Sequence, residues 1–207
     1  MDVTLFEEMD RIKEKFPDNA FIIVVFRKHF SWIISKYKNH IRKFGWIKFK
    51  EFFSPGEEGL LDISRHFYTE LADAFYEKFG NRVLLLNYDE LKESPGGFVR
   101  KIYDFLDLPD EEIVYSRAVV KRSFSNNQLK ILRKFNNFYR YSAMRTKYHI
   151  INRVHYKYRH FLLHIVAFFA RFIPVRTQDF QNELLEDKET IENYFQEDWD
   201  NMLKKFA

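Results

Sequence analysis

The sequence contains no cysteine, and only 6 of its 207 residues are glycine. Without cysteine the chain cannot form a disulfide framework, use a thiol nucleophile or hold zinc through thiolates. Aromatic residues, by contrast, make up 19% of the chain and are mostly phenylalanine. This content supplies core and stacking surface and argues against disorder. A globular fold with a substantial core is therefore expected.

Long apolar runs are missing as well. The first residues of the sequence are acidic and predict a short amphipathic helix ending near Pro17, not a secretory signal or an anchor. We therefore expect a cytoplasmic protein. The run at residues 161–174 (FLLHIVAFFARFIP) is apolar but short, and it is broken by His164 and Arg171. It is shorter than the roughly 20 residues that cross a bilayer, and it fits either a buried helix or a helix on a membrane surface.

Acidic residues are absent from residues 117–178, which contain fourteen of the 34 Lys and Arg. The rest of the chain has twenty basic and thirty acidic residues. Such one-sided charge indicates an anionic partner: a phosphate, an anionic lipid, a nucleic acid or an acidic glycan. The alternative is a basic face that simply contacts solvent.

The pattern around residues 21–37 organises the first part of the chain. Residues 21–26 (FIIVVF) are apolar, rich in β-branched types and too short for a helix, which predicts a strand buried on both faces of a parallel sheet. Arg27 follows at once, and residues 30–44 have the pattern of an amphipathic helix that includes Ser35. Because strand ends and helix N-termini bind anions in α/β sheets, Arg27 and Ser35 are candidate phosphate ligands. Alternatively, Arg27 caps a carbonyl or pairs with a carboxylate, and Ser35 is a solvated helix residue.

A second strand is predicted at residues 81–88 (NRVLLLNY). Helical patterns precede it at residues 60–79 and follow it at residues 98–106, whereas residues 46–59 read as a loop. Strand, helix and strand in this order predict a βαβ unit with a parallel pair. Gly96-Gly97 is not the phosphate-binding loop of nucleotide triphosphatases, because it lacks the spacing and the lysine of that motif.

Two segments, residues 21–40 (FIIVVFRKHFSWIISKYKNH) and residues 81–109 (NRVLLLNYDELKESPGGFVRKIYDFLDLP), together resemble the PAPS-dependent sulfotransferases, particularly their carbohydrate-directed and bacterial members. In that family a strand is followed by Arg, seven residues and Ser, and Arg27 and Ser35 have this spacing. The family's Tyr-Glu-Asp-Leu appears at residues 88–91 with its acidic pair transposed. Its Phe-Leu-Gly-Leu appears at residues 105–108 with Asp107 in place of the glycine.

The resemblance implies an α/β, P-loop-like sulfotransferase fold with a parallel sheet, flanking helices and a helix-rich C-terminal half. It implies that PAPS (3′-phosphoadenosine 5′-phosphosulfate) is the cofactor and that Arg27 and Ser35 bind its 3′-phosphate. Lys121 and Arg122 look like part of the basic loop that closes over the nucleotide, although the glycine often found there is missing. The last segment, residues 183–203, is similar to the family's closing helices.

One family element is not recognisable. The loop that holds the 5′-phosphosulfate normally precedes the Arg and Ser element, yet the 26 residues before Arg27 contain no glycine, no Lys-Ser/Thr pair and no histidine. The resemblance therefore implies the C-terminal part of a sulfotransferase, incomplete at its N-terminus. We expect a chain without this loop to lose most activity, and no catalytic residue is assigned.

We expect one sulfotransferase-like domain over residues 1–207. It divides into an α/β nucleotide-binding part (1–116), a basic helical part (117–178) and C-terminal helices (179–207). The expected partners are PAPS or its product PAP, a glycan or lipid acceptor, and an anionic membrane surface. Nucleic acid is not expected, because no aromatic-bearing sheet of the RNA-binding kind is recognisable. The alternative is a non-enzymatic basic module that binds anionic membrane or nucleic acid through residues 117–178.

Histidines provide further candidates. His160 and His164 have the i, i+4 spacing of two metal ligands on a helix, but no carboxylate accompanies them, so residues of an amphipathic helix are the better interpretation. No metal site is predicted. His29 and His66 flank predicted helix or loop starts and are weak candidates for a general base.

Overall fold

The computed structural model describes residues 5–17, 19–55, 59–61, 67–109, 123–139 and 149–206. These residues form a mixed α/β structure that is mostly helical and contains a two-stranded parallel sheet. This confirms the expected fold class. In chain order the elements are α1 (Leu5–Lys15), β1 (Ile22–Phe26), α2 (His29–Arg42), α3 (Phe49–Phe52), α4 (Tyr68–Phe79), a 3₁₀ turn (Gly80–Arg82), β2 (Val83–Asn87), α5 (Tyr88–Glu93), α6 (Pro95–Phe105), α7 (Asn126–Tyr139), α8 (His149–Phe169), α9 (Gln178–Leu185), α10 (Lys188–Tyr194) and α11 (Gln196–Lys205).

The chain divides into two compact units. The first comprises Met1–Ser31, Asp62–Arg117 and Ile191–Ala207, and the second comprises Trp32–Leu61 and Ala118–Thr190. Two of the four divisions along the chain fall within α2 and α10. Among the helices in the described part of the chain, none has the length and apolar character that a bilayer crossing requires.

In the first unit β1 and β2 pair in parallel, with Ile22 opposite Val83 and Phe26 opposite Asn87. This confirms the predicted βαβ unit. One side of the sheet belongs to a core that also includes α1, α4 and α11. Its buried members are Met9, Phe26, Tyr68, Ala72, Ala74, Phe75, Phe79, Val83, Leu85, Trp199 and Met202.

The expectation that β1 is buried on both faces is wrong. Ile23 and Val25 point away from the core and are 37% and 46% exposed. Successive side chains of a strand point to opposite faces. An apolar strand sequence favours burial, but a face of the sheet is buried only where another element packs on it.

Several boundaries differ from the sequence-based ones. The predicted helix at residues 60–79 begins at Tyr68, although residues 62–66 lie outside the described part of the chain. The predicted loop at residues 46–59 contains the short helix α3, and α5 was not predicted. Helix α6 begins earlier than expected, with Pro95 in its first turn, where a missing N–H is tolerated. The predicted C-terminal helices are present as α9, α10 and α11.

The start of α4 is determined by a residue remote in sequence. The carboxylate of Asp198 on α11 accepts the backbone N–H of Tyr68 at 2.8 Å and that of Thr69 at 2.9 Å. The same carboxylate lies 3.1 Å from Nε2 of His29, the first residue of α2. The His29 ring is stacked between Tyr68 and Phe195, at centroid distances of 3.9 and 4.1 Å. Asp198 therefore ties the β1–α2 junction to the N-terminus of α4.

In the second unit an ion pair connects four helices. Arg133 on α7 donates two hydrogen bonds to the Glu183 carboxylate on α9, and one to the Tyr37 hydroxyl on α2 at 2.7 Å. Glu183 also accepts the backbone N–H of Phe49, the first residue of α3, at 2.8 Å. Burial alone would raise the pKa of Glu183, but the hydrogen bond from Arg133 and that from Phe49 outweigh it and hold the pKa below its ordinary value.

The first prediction concerns Asp198. Burial alone would raise its pKa, but hydrogen bonds involving His29, Thr69 and Tyr68 lower the pKa to about 2. Since the folded-state pKa is depressed, the stabilisation is present above the ordinary carboxyl pKa near 3.8 and is lost as the pH falls towards 2. We expect Asp198→Asn to cost about 2 kcal/mol of unfolding free energy at pH 7 and to flatten the pH dependence between 4 and 2.

Urea unfolding at several pH values measures this effect. Asp200→Asn is the matched control, because Asp200 lies on the same helix but is exposed. If Asp198→Asn and wild type lose stability in parallel between pH 4 and pH 2, Asp198 does not have the role described.

The second prediction concerns the Arg133–Glu183 pair. Removing one partner leaves a charge in a largely buried position, so we expect Glu183→Gln to cost about 3 kcal/mol in urea unfolding. Asp179→Asn is the control, because Asp179 contacts Lys130 at 3.4 Å but is 74% exposed. Its loss should be within about 0.5 kcal/mol. Equal losses in the two variants would show that the buried pair has no special contribution.

Candidate functional site

Arg27 is the first residue after β1. Because Phe26 is paired with Asn87, the residues that follow the two strands, Arg27 and Tyr88, lie side by side at the carboxyl edge of the sheet. The Arg27 guanidinium carbon is 5.1 Å from the centroid of the Tyr88 ring, and the Lys92 ammonium is 5.0 Å from the same centroid. Two cations thus gather on one aromatic ring at the edge where α/β sheets bind ligands.

The Nε atom of Arg27 is buried and has no hydrogen-bond partner among the described residues. Leaving such a donor unpaired costs about 1–3 kcal/mol. Arg27 as a whole is only partly buried, so an acceptor that reached the guanidinium and paired with Nε would recover this free energy. The alternatives in which Arg27 caps a carbonyl or pairs with a carboxylate find no support in the described part of the chain. The positive charge also acts on Tyr68, whose pKa is raised by burial and by Asp198 and is partly lowered by Arg27.

Residues 88–91, which we call the YDEL motif, have a local structural role. Asn87 caps α5 by accepting the backbone N–H of Asp89 at 3.0 Å. Asp89 pairs with Lys92 at 2.6 Å, and Glu90 pairs with Lys101 of α6 at 2.7 Å. The Asp89 pair therefore lies within α5, whereas the Glu90 pair links α5 to α6.

In residues 105–108, which we call the FLDL motif, the backbone conformation explains how Asp107 replaces the glycine of the family. Asp107 follows α6 and has φ +52°, in the left-handed region that glycine adopts most easily. The N–H of Leu108 then donates to the carbonyl of Tyr103 at 3.0 Å, as at many helix ends. Aspartate is among the residues that tolerate this conformation, so Asp107 can occupy the glycine position of the family motif.

Ser35 lies in the second turn of α2, belongs to the second unit and is exposed. It lines an open hollow, which we call the Ser35 hollow. The other lining residues are Lys36, Lys38, Asn39, Arg42, Ser123, Phe124 and Leu129. Three cations and two hydroxyl groups in one hollow suit a phosphate group.

Lys121 and Arg122 lie outside the described residues, so their expected role remains a prediction. Ser123 and Phe124, which follow them directly, line the Ser35 hollow. The Arg42 guanidinium carbon lies 5.2 Å from the Phe124 ring centroid. Within the second unit, the segment after the predicted basic loop therefore contacts the same face of α2 as Ser35.

Sequence reasoning missed Lys38 and Arg42. Both lie on the Ser35 side of α2, at the i+3 and i+7 positions that share one helix face. That spacing was visible in the sequence. What was not visible is that Phe124, 82 positions after Arg42, covers this face and completes the hollow.

The histidine candidates are placed differently. His29 is 3% exposed between two rings and contacts Asp198, which favours a role in packing over one as a base. His66 lies outside the described residues. His160 and His164 have ring centroids 4.7 Å apart and line a second hollow with Arg42 and Phe124. Among the described residues, no group of three or more His, Cys, Asp or Glu side chains is arranged to hold a metal ion.

The described residues of each region supply cations and hydrogen-bond donors, which bind anions and position them. Comparison with known proteins assigns the chain to a family. The model of the sulfotransferase family matches residues 2–112, a span that includes Arg27, Ser35 and the YDEL and FLDL motifs. No curated protein and no solved structure matched the chain. Since the family match covers more than half of the sequence, the chain belongs to the sulfotransferase family.

Proposed function

We propose that this protein binds PAPS and transfers its sulfuryl group to a hydroxyl or amine of a glycan or lipid acceptor. Four residues are proposed to bind the 3′-phosphate of the nucleotide: Arg27, Ser35, Lys121 and Arg122. The observation that carries the proposal is the buried, unpartnered Nε of Arg27 at the carboxyl edge of the sheet, in a chain of this family. We also propose that residues 1–207 form one sulfotransferase-like domain.

Arg27 and the Ser35 hollow supply different kinds of support. Arg27 offers a fork of donors next to a second cation, Lys92, and a guanidinium binds phosphate oxygens in pairs. The Ser35 hollow offers hydroxyl groups and the cations Lys36, Lys38 and Arg42. Each charged hydrogen bond to a phosphate contributes about 1.5–3 kcal/mol of binding free energy.

In the proposed reaction an acceptor oxygen or nitrogen attacks the sulfur of PAPS. The new bond to sulfur forms while the bond between sulfur and the 5′-phosphate oxygen breaks, the acceptor loses its proton, and PAP leaves. Negative charge builds up on the leaving phosphate, so positioned cations lower the barrier. The residues named here bind and orient the nucleotide; none of them is assigned as the base.

The third prediction tests nucleotide binding. At a concentration 100 times Kd, PAP should stabilise the protein by about 2.7 kcal/mol. For a chain of this size this corresponds to a rise in Tm of about 5–10 °C. Adenosine 5′-monophosphate, which lacks the 3′-phosphate, should give a much smaller shift at the same concentration. Differential scanning fluorimetry with the two nucleotides measures this. An absent or equal shift would contradict the proposal.

The fourth prediction assigns the effect to residues. Loss of a charged hydrogen bond weakens binding about 10- to 100-fold. At the same PAP concentration, Arg27→Ala should therefore reduce the stabilisation to about 0.4–1.4 kcal/mol, with a proportionally smaller shift in Tm. Ser35→Ala should reduce the shift less. Arg27→Lys keeps the charge but loses the two-donor geometry, so it should give an intermediate result.

Matched controls are available in the first unit. Arg11→Ala removes an exposed arginine of α1, and Ser94→Ala removes an exposed serine before α6. Both should keep the full shift. Isothermal titration with PAP gives the affinities directly. Full PAP affinity in Arg27→Ala would exclude Arg27 from the nucleotide site.

A further inference from the structure

Helix α8 has apolar residues on two opposite faces in its described second half. The inner face is buried: Leu163 and Ala167 are 1% and 3% exposed, and Ala170, just past the helix, is fully buried. Two side chains of α7 fix this face. Gln128 donates to the Ala167 carbonyl and Asn127 donates to the Ala170 carbonyl, each at 2.8 Å. These contacts hold α8 within the second unit through its inner face and do not involve its outer face.

The outer face is apolar and exposed. Phe161, Ile165 and Phe168 follow the i, i+4, i+7 spacing of one helix face, and Phe172 continues the row in the turn after α8. These four side chains, which we call the α8 outer face, are between 36% and 66% exposed. Phe168 contacts Phe169 and Phe172, with ring centroids 5.5 and 5.6 Å apart. A contiguous exposed aromatic patch is typical of an interaction surface, not of solvated protein surface.

The charge beside this face has one sign. Lys157, His164 and Arg171 recur every seven residues, which places them along one border of the row, and all three are exposed. No carboxylate occurs in residues 117–178. The first acidic residue after this segment, Asp179, contacts Lys130.

We propose that the α8 outer face binds the surface of an anionic lipid bilayer, with the helix lying in the plane of the interface. The phenyl rings would enter the boundary between headgroups and acyl chains, about 5–10 Å deep, while Lys157 and Arg171 contact the phosphates. This inference goes beyond sulfuryl transfer and holds whether or not the chain has that activity.

Charge favours a bilayer over a second copy of this chain. Two copies packed through the α8 outer face would bring their cationic borders together without any carboxylate from the same segment to neutralise them. An anionic bilayer satisfies the apolar row and the cations at the same time.

Vesicle co-sedimentation of the full chain tests the proposal. We expect binding to phosphatidylcholine vesicles that contain 30% phosphatidylserine, at least tenfold weaker binding to pure phosphatidylcholine, and weakening between 50 and 300 mM salt. The double variant Phe168→Ser, Phe172→Ser should bind at least tenfold more weakly, since two phenyl groups no longer enter the interface. Lys157→Glu with Arg171→Glu should weaken binding to a similar extent and reduce its salt dependence.

The matched control is Leu60→Ser with Leu185→Ser, which removes two exposed leucines of the same unit that lie outside the α8 outer face. It should bind within twofold of wild type. A Phe172→Trp variant reports insertion directly, because lipids brominated in the acyl chain should quench its added fluorescence beyond that of the native tryptophans.

Four results would overturn the proposal. The first is vesicle binding that is unchanged in the Phe168→Ser, Phe172→Ser variant. The second is equal binding to neutral and anionic vesicles. The third is the absence of added quenching in Phe172→Trp. The fourth is a stable dimer in sedimentation velocity that the double serine variant dissociates, which would assign the α8 outer face to a second copy.

Discussion

The parallel pairing of β1 with β2 is the constraint on which the candidate site at the carboxyl edge of the sheet depends. With Phe26 opposite Asn87, both strands end at the same level, and Arg27 and Tyr88 become neighbours although 60 residues separate them in the sequence. A one-residue slip would turn the side chains of a strand to the opposite face and would separate the guanidinium from the ring. The apolar side chains of β2 and one face of β1 fix this register through burial in the core.

Two remote carboxylates perform a similar task, one in each unit. Asp198 accepts the first backbone N–H groups of α4 and contacts His29, while Glu183 accepts the first N–H of α3 and binds Arg133. A carboxylate is favourable at a helix N-terminus, because it satisfies donors that lack a partner within the helix. Each carboxylate therefore holds a helix start and, through a second side chain, residues of α2.

The positive charge of the described residues is divided between different environments. Arg133 is neutralised by Glu183 and belongs to the interior of the second unit. Lys36, Lys38 and Arg42, which precede residues 117–178, line the Ser35 hollow, where the Phe124 ring lies 5.2 Å from the Arg42 guanidinium. Lys157 and Arg171 border an apolar surface instead. A net basic charge thus does not describe one binding surface, and each group of cations has to be interpreted with its neighbours.

Much of the local structure was predictable from the sequence. The apolar runs gave both strands, the order of elements gave parallel pairing, and the spacing of Arg27 and Ser35 indicated the family. Helix ends were less predictable. Asp198 determines the start of α4 from a position 130 residues away, and the sequence around Tyr68 does not indicate this contact. The exposed side of β1 was predicted wrongly because burial also depends on contacts with remote parts of the chain. An apolar side chain favours burial, but it is buried only where another element packs on it.

The sequence by itself determined both strands, most of the longer helices, the absence of thiol chemistry and the segregation of charge, because these follow from residue type and spacing along one chain. The tertiary structure decided which polar atoms lack partners and which apolar faces stay in solvent. Only there does Arg27 lie on Tyr88, does Phe124 cover Arg42, and does α8 bury Leu163 while exposing Phe168. These properties depend on contacts between residues far apart in the chain, which no local pattern specifies.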